Sequence, residues 1–332
     1  MGDVSHILAT IGQEVEDADE ESFLLFSQDI PSSNLGFVDS KASAVDITIH
    51  DREYTIHQSP TLLSSSRAGG TTGAVLWKIT PLFASWLSNT SSNPLWTTEH
   101  LTPSSTIVEL GCGISALTAL ALSPLLEPQG TNGHYIATDQ EYVHRLFRQN
   151  LQSNPPKATS KASSSSGIKK GKKQQKASAA ISQNDAAQLN PHQNITFTSL
   201  DWETDHPETL KQQIAAAGEE QEAGEEFDPG FDLLLSCDCI YNEALIAPFV
   251  RTCAEIARLR PSPSAFTESG SKSGRKPTIC VIAQQQRSPD VFEAWLRETM
   301  RYFRVYRIND DALGRELGVG SGYLIHGLVL RD

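Results

Sequence analysis

The chain has 332 residues, 39% of them hydrophobic, enough for one large domain with its own core. Its formal net charge is −13 and its pI is near 5.2, which argues against a non-specific nucleic-acid binder and suits a basic partner. The cysteines (Cys112, Cys237, Cys239, Cys253 and Cys280) contain no C-x-x-C pair and read as small core residues of a reducing compartment rather than as metal ligands.

The start, MGDVSHILATIGQEVEDADEE, lacks the basic flank and apolar run of a secretory signal, and His6 breaks the myristoylation pattern that Gly2 would open. No run is long enough to span a bilayer, so the expected location is cytoplasmic, with the nucleus as an alternative. Residues 1–42 are polar and weakly periodic and are expected to be weakly ordered, with the folded domain spanning 43–332. AVDITIHDREYTIHQS alternates apolar and polar residues on both sides of Asp51-Arg52 and predicts a β-hairpin. In TTGAVLWKITPLFASWL, Leu76, Ile79, Leu82, Phe83 and Trp86 fall at helical spacing, which predicts a helix despite Pro81.

Strands and helices then alternate. TIVEL, HYIATD, NITFTSL, FDLLLSCD and TICVIAQ read as strands, separated by helices over Ser115–Ser123, Gln140–Leu151 and about 243–258, with a further helix around 290–301. FRVYRI and YLIHGLVL close the chain as two strands joined by a loop. This order predicts an α/β, Rossmann-like sheet of seven strands, mostly parallel, with an antiparallel edge and an N-terminal hairpin extension. Three polar stretches interrupt it. The longest, at about 154–188, is rich in Ser, Lys, Gln and Ala and is expected to be disordered, because it buries too little to offset its ordering entropy. Polar loops are expected at about 218–228 and 261–277. The lysines of the long insertion (Lys169, Lys170, Lys172, Lys173 and Lys176) are the one place where nucleic-acid contact or a nuclear-import patch is suggested, against the plainer reading of a solvated linker.

The candidate site residues cluster at strand ends. Gly111-Cys112-Gly113 follows TIVEL directly and opens onto small residues, so the backbone can approach a ligand closely. G-x-G-x-x-A is formally a dinucleotide fingerprint as well. Glu109, beside the turn, would repel a pyrophosphate and favour a ligand carrying ammonium or sulfonium charge. Asp139 ends the second strand, where a carboxylate can accept both ribose hydroxyls of an adenosine or cap the following helix. SLDWE ends the third strand: Asp201 or its backbone could meet an adenine amine and Trp202 could cover the ring, although such a Trp is more often core. SCDCIY ends the fourth, with Asp238 interrupting an apolar run at the sheet edge where open α/β sheets bind ligands.

In this order, ELGCG, an acidic end to strand two, LDW and then DCIY, the chain resembles the seven-β-strand S-adenosylmethionine-dependent methyltransferases. More narrowly it is similar to the protein-lysine methyltransferases of methyltransferase family 16, whose D-x-x-Y motif matches Asp238-Cys239-Ile240-Tyr241 and whose G-x-x-x-W context matches Gly73 and Trp77. VELGCGIS and YIATDQ look most like the fungal branch that methylates a ribosomal large-subunit protein. The family's third glycine is replaced here by Ser115. The resemblance runs from about residue 43 to the end, outside the three polar stretches. It implies that Trp77, Glu109, Gly111, Cys112, Gly113, Asp139, Trp202 and Cys237 line an S-adenosylmethionine site, and that Asp238 and Tyr241 sit near the target amine. The implied activity is protein-lysine N-methylation by a monomer acting on a basic protein of the large ribosomal subunit, without a metal. The [N/D]PP[Y/F] motif that suits planar amide or base nitrogens is absent after strand four. A methyltransferase for another protein residue or a small molecule, a non-catalytic scaffold of the same fold and, more remotely, a dehydrogenase are the competing readings.

Overall fold

A computed structural model describes residues 4–30, 35–67, 70–126, 133–156, 192–211, 228–260 and 276–331. The strands are β1 (Gly12–Glu14), β2 (Ala44–Ile49), β3 (Arg52–His57), β4 (Thr106–Leu110), β5 (His134–Asp139), β6 (Ile195–Ser199), β7 (Leu233–Cys237), β8 (Ile279–Gln285), β9 (Phe303–Ile308) and β10 (Tyr323–Leu330). Eight of them form one sheet in the order β1-β9-β10-β8-β7-β4-β5-β6, and β2–β3 is a separate hairpin. From β8 through β7, β4 and β5 to β6 the pairing is parallel, whereas β10 runs antiparallel to both β8 and β9. Strand order reverses between β4 and β7, and the carboxyl ends of those two strands form the crevice where such sheets take ligands.

The central strands are buried on both faces, which is why they read as apolar runs rather than alternations. Ile107, Leu233 and Leu235 face one core, against the helices Ile79–Leu87, Leu117–Leu126 and Glu141–Ser153. Val108, Leu110 and Leu234 face the other, against the helices Ile246–Arg258 and Pro289–Met300. Leu117–Leu126 is apolar all round and almost wholly buried. Glu141–Ser153 buries only Val143, Phe147, Asn150 and Leu151, one face at helical spacing.

Two expectations are corrected. Residues 1–42 are not weakly ordered where the structure describes them: the helix Val4–Ile11 leads into β1, which adds an eighth strand against β9, and the helix Ala18–Phe26 packs on Pro289–Met300. Short apolar contacts such as Leu8 against Gly327, and the pairs Arg304–Glu14 and Arg307–Glu21, hold this segment; none has a periodic signature. The helix expected across TTGAVLWKITPLFASWL begins only at Ile79. Pro81 is then in the first turn, where a missing N–H costs nothing. Leu76 and Trp77 lie before it in an extended segment, with Val38 N donating to Leu76 O (2.9 Å) and Phe37 bridging Trp77.

The hairpin is fastened to the domain by two asparagines. Asn150 Oδ1 accepts from His57 N (2.7 Å), while its Nδ2 donates to His57 O (2.9 Å) and Ile114 O (2.7 Å). Asn154 does the same for Thr55 (2.9 and 3.0 Å) and is buried, so the chain is still part of the fold at the point where the long insertion was expected to begin. Asp228 is likewise paired with Arg260, and Lys276 donates to Glu99 O. The remainder of the insertion, from residue 157, and most of the two polar loops lie outside the described residues. No helix among the described residues is long and apolar enough to cross a membrane.

Candidate active site

A cleft of about 910 Å³ opens at the crevice between β4 and β7. All ten residues expected at the site from the sequence line it: Trp77, Glu109, Gly111, Cys112, Gly113, Asp139, Trp202, Cys237, Asp238 and Tyr241. They come from the ends of four strands, from the loops that follow and from the segment before the helix Ile79–Leu87.

The glycine turn is built from β4 and β5 together. Gly111 N and Cys112 N both donate to Thr138 O (2.9 and 3.0 Å), and Ile114 N donates to Gly73 O (3.0 Å). Gly111 and Gly113 have φ of +71° and +59°, a region that favours glycine. A Cβ on Gly111 would overlap Cys239 Sγ, so the close approach is steric as well as conformational. Ser115, standing where the family has glycine, has a local use: its Oγ accepts Leu117 N (3.2 Å), one of the free amides that open the helix Leu117–Leu126. Ala116 beside it takes a left-handed φ of +54°, which an L-residue adopts only under constraint.

Asp139 does not cap its helix. Its Oδ2 accepts Gly113 N (2.8 Å) and its Oδ1 accepts Gln140 N (2.7 Å), so it ties the second strand end to the glycine turn while remaining partly open to the cleft. Burial pushes its carboxyl up to about 6, against the two amide donors. Glu109 lies deeper and is 2% exposed. Its Oε2 accepts from Tyr135 Oη (2.8 Å), and burial pushes it up to about 7. Two carboxyls held above their ordinary range by desolvation, in one cleft, are stabilised by a cationic ligand. Burial also raises the Cys112, Cys237 and Cys239 thiols, so none is a ready thiolate.

Trp202 packs edge-on against Phe249 (5.0 Å between ring centres), and its Nε1 is buried without a partner. Asp201 is exposed and accepts Glu203 N (2.9 Å), closing its own turn. Cys237 Sγ lies 3.9 Å from Thr80 Oγ1. Tyr241 is 42% exposed, and Thr72 Oγ1 donates to its hydroxyl at 3.3 Å.

Asp238 is more enclosed than its sequence position suggested. It has φ +64°, and its backbone N donates to Ala283 O (2.7 Å). Its Oδ1 accepts from Gln285 N (3.1 Å) and Arg287 Nη1 (2.6 Å), and its Oδ2 accepts from Arg287 Nη2 (2.5 Å). Arg287 in turn lies over the Trp77 ring at 4.7 Å. Sequence reasoning missed Arg287, although its place just after β8, at the carboxyl edge of the sheet, was readable. Arg67, stacked on Tyr142 at 4.8 Å at the mouth, was also missed, and nothing in the local pattern marks it.

No family model matches the chain. It is 27% identical over 259 residues to Ribosomal lysine N-methyltransferase 5 of Zygosaccharomyces rouxii, covering 74% of this chain and 70% of that protein. The protein of the same name from Candida glabrata is 29% identical over 222 residues, covering 60% of this chain and 59% of its own length. A Schizosaccharomyces pombe protein named diaminohydroxyphosphoribosylamino-pyrimidine deaminase is 27% identical over 303 residues, 91% of this chain. This chain spans about half of that relative (55%) and carries no C-x-x-C pair of the kind zinc-dependent base deaminases use. Among solved structures, the CurJ carbon methyltransferase shares 14% identity at a TM-score of 0.38, covering 75% of this chain and 55% of that one, a likeness too loose to add to the strand order. With its sheet order and glycine turn, the chain is similar to the S-adenosylmethionine-dependent methyltransferases, and the fungal Ribosomal lysine N-methyltransferase 5 proteins are among its relatives at 24–29% identity.

Proposed function

We propose that this chain is a protein-lysine N-methyltransferase acting, as a monomer in the cytoplasm or nucleus, on a basic protein of the large ribosomal subunit. The observation that carries the reading is the juxtaposition, in one cleft, of carboxyls suited to a cationic ligand (Glu109 and Asp139) with an aromatic and acidic rim (Trp77, Tyr241 and Asp238) at the neighbouring strand end. The residues fit S-adenosylmethionine: the glycine turn allows close approach, Asp139 is suited to ribose hydroxyls, and the Glu109 charge complements ammonium and sulfonium. That cofactor supplies a methyl group on a sulfonium leaving group.

The protein's part is to position and desolvate the amine. A free lysine has a pKa of about 10.4 and attacks only when neutral. Trp77 and Tyr241 wall the approach with aromatic surface, which excludes water and disfavours the ammonium. Asp238 keeps one acceptor position. A carboxylate offers about four, and three are filled, by Gln285 N and the two Arg287 nitrogens. The position left on Oδ2 suits one N–H of a neutral amine. The net charge of −13 favours encounter with a basic substrate.

The test is to incubate large ribosomal subunits, from cells lacking this protein, with the purified chain and labelled S-adenosylmethionine, and to identify the modified residue by mass spectrometry. Methyl-lysine on one subunit protein is expected. Methyl-arginine, or no label on subunit proteins, overturns the reading.

A further inference from the structure

A carboxylate beside a target lysine has an awkward consequence for methyl transfer. Left unpaired, Asp238 would stabilise the ammonium and hold the amine in the form that cannot attack. The structure contains a group placed against this. The Arg287 guanidinium meets Asp238 through two parallel N–H···O bonds (2.6 and 2.5 Å), the geometry in which charge is most fully matched. Its other face lies on Trp77, and its Nη2 also donates to Gln285 Oε1 (3.2 Å), which accepts Gly36 N (3.0 Å).

These contacts close a ring of which Trp77, Thr72, Tyr241 and Asp238 line the cleft, while Arg287 lies outside its lining. Trp77 Nε1 donates to Thr72 O (3.0 Å), Thr72 Oγ1 donates to Tyr241 Oη (3.3 Å), and Tyr241 is three residues on from Asp238. Arg287 joins the two ends. The Asp238 side chain is 3% exposed, so the pair sits where screening by water is weak. Other titratable groups near it, Cys237, Cys239, Tyr241 and Tyr323, have pKa values raised by burial and are neutral. Of the other charges lining the cleft, Glu109 and Asp139 lie close enough to act on Cys237, Cys239 and Tyr241, Arg67 stacks on Tyr142, Glu141 follows β5, and Asp201, Glu203 and Asp205 follow β6.

We propose that Arg287 is a positioning residue for the transfer: it cancels the charge of Asp238 while leaving one acceptor position free, so that the rim orients a lysine amine without stabilising it as ammonium. The proposal rests on the lysine reading above. It explains why Asp238 can stand at the site without working against the chemistry, and why Arg287 is held from three sides rather than left in solvent.

The experiment is the pH dependence of single-turnover transfer to large ribosomal subunits lacking the modification. Wild type, Arg287→Gln, Arg287→Lys and the double variant Asp238→Asn/Arg287→Gln are compared, and binding of S-adenosylhomocysteine by each is measured by calorimetry. The rate rises with pH as the amine loses its proton. In Arg287→Gln the rise moves to higher pH by about one unit or more, since an opposite charge within about 4–6 Å shifts a group by 1–3. At pH 7.5 that variant is then about tenfold or more slower, with product binding within about threefold of wild type. Arg287→Lys recovers part of the displacement, and the double variant returns the rise to its wild-type position whatever its amplitude. A rise that stays in place in Arg287→Gln, or one that moves equally in the double variant, overturns the proposal while leaving lysine methylation intact. Failure of the wild type to label subunit lysines overturns the lysine reading and the proposal together. A merely structural role for Arg287 would lower amplitude and product affinity without moving the pH at which the rate rises.

Discussion

Gly111 and Cys239 meet across the carboxyl edge of the sheet, so closely that a single methyl group on residue 111 would occupy the space of the Cys239 sulfur. The contact joins the end of β4 to the turn after β7, and the floor of the cleft is the seam between them. Gly111→Ala therefore meets both an overlap and a φ of +71°. It is expected to weaken S-adenosylhomocysteine binding at least tenfold and to cost about 1–3 kcal/mol of stability. Calorimetry and thermal melts check this, and adding Cys239→Ala should recover part of the loss, because only the overlap is relieved.

Asp139→Ala should weaken cofactor binding more than tenfold, since charged hydrogen bonds are worth about 1.5–3 kcal/mol. The loss has two sources, the ligand contact and the released Gly113 and Gln140 amides. Asp139→Asn keeps one acceptor oxygen and should fall between. Wild-type affinity in the alanine variant would reduce Asp139 to a brace for the turn.

Glu109 gives a pH signature. Its carboxyl is raised from 4.5 to about 7 in the folded chain, so between those values the folded state holds a proton that the unfolded state has released. Its contribution is thus most favourable at the acid end and declines as pH rises through about 7. His100 and His134, lowered by burial to about 4, act in the opposite sense. The measurement is therefore the melting temperature of wild type minus that of Glu109→Gln in the absence of ligand. That difference should fall from pH 5 to pH 8. A flat difference would mean that Glu109 is ionised throughout.

Asn150→Ala tests the attachment of the hairpin. It strips partners from His57 N, His57 O and Ile114 O, all reached by one fully buried side chain. A cost of about 2–4 kcal/mol is expected. Because Ile114 N also grips Gly73 O, cofactor affinity should drop as well, by severalfold. Denaturant titration with and without S-adenosylhomocysteine separates the two effects.

Asp238→Ala should reduce methyl transfer far more than cofactor binding, because the contact matters once the amine is in place. It also leaves Arg287 unpaired, so some loss of stability accompanies it. Tyr241→Phe removes only a long hydrogen bond from Thr72 and keeps the aromatic wall, so its effect should be small. Single-turnover rates set against calorimetric affinities decide this, and full activity in Asp238→Ala would remove Asp238 from the site's chemistry.

Much of the fold was readable because both of its periodicities are strong. Buried parallel strands such as LLLSC stand out as apolar runs, and Glu141–Ser153 shows one apolar face. The site was readable for a related reason: open parallel sheets place ligand residues at strand ends, and every candidate chosen there lines the cleft. What was not readable depends on contacts distant in sequence. β1 is three residues long and owes its existence to β9, nearly three hundred positions away. Leu76 and Trp77 fit a helical spacing, but their backbone is claimed by Gly36 to Val38. Arg287 looks like a loop arginine until Asp238 and Trp77 converge on it.

The shortness of β1 bears on how the molecule meets copies of itself. β9 would otherwise end the sheet with its amide and carbonyl groups unsatisfied and Phe303, Val305 and Ile308 close behind them, a template for pairing with a strand of another molecule. Gly12 lets β1 lie flush against it, since any side chain there would press on Arg307 O, and the Arg304–Glu14 pair pins the far end. A chain cut after Glu14 would keep the whole cleft yet uncover that edge, and its failure would show as self-association in solution rather than as loss of cofactor affinity.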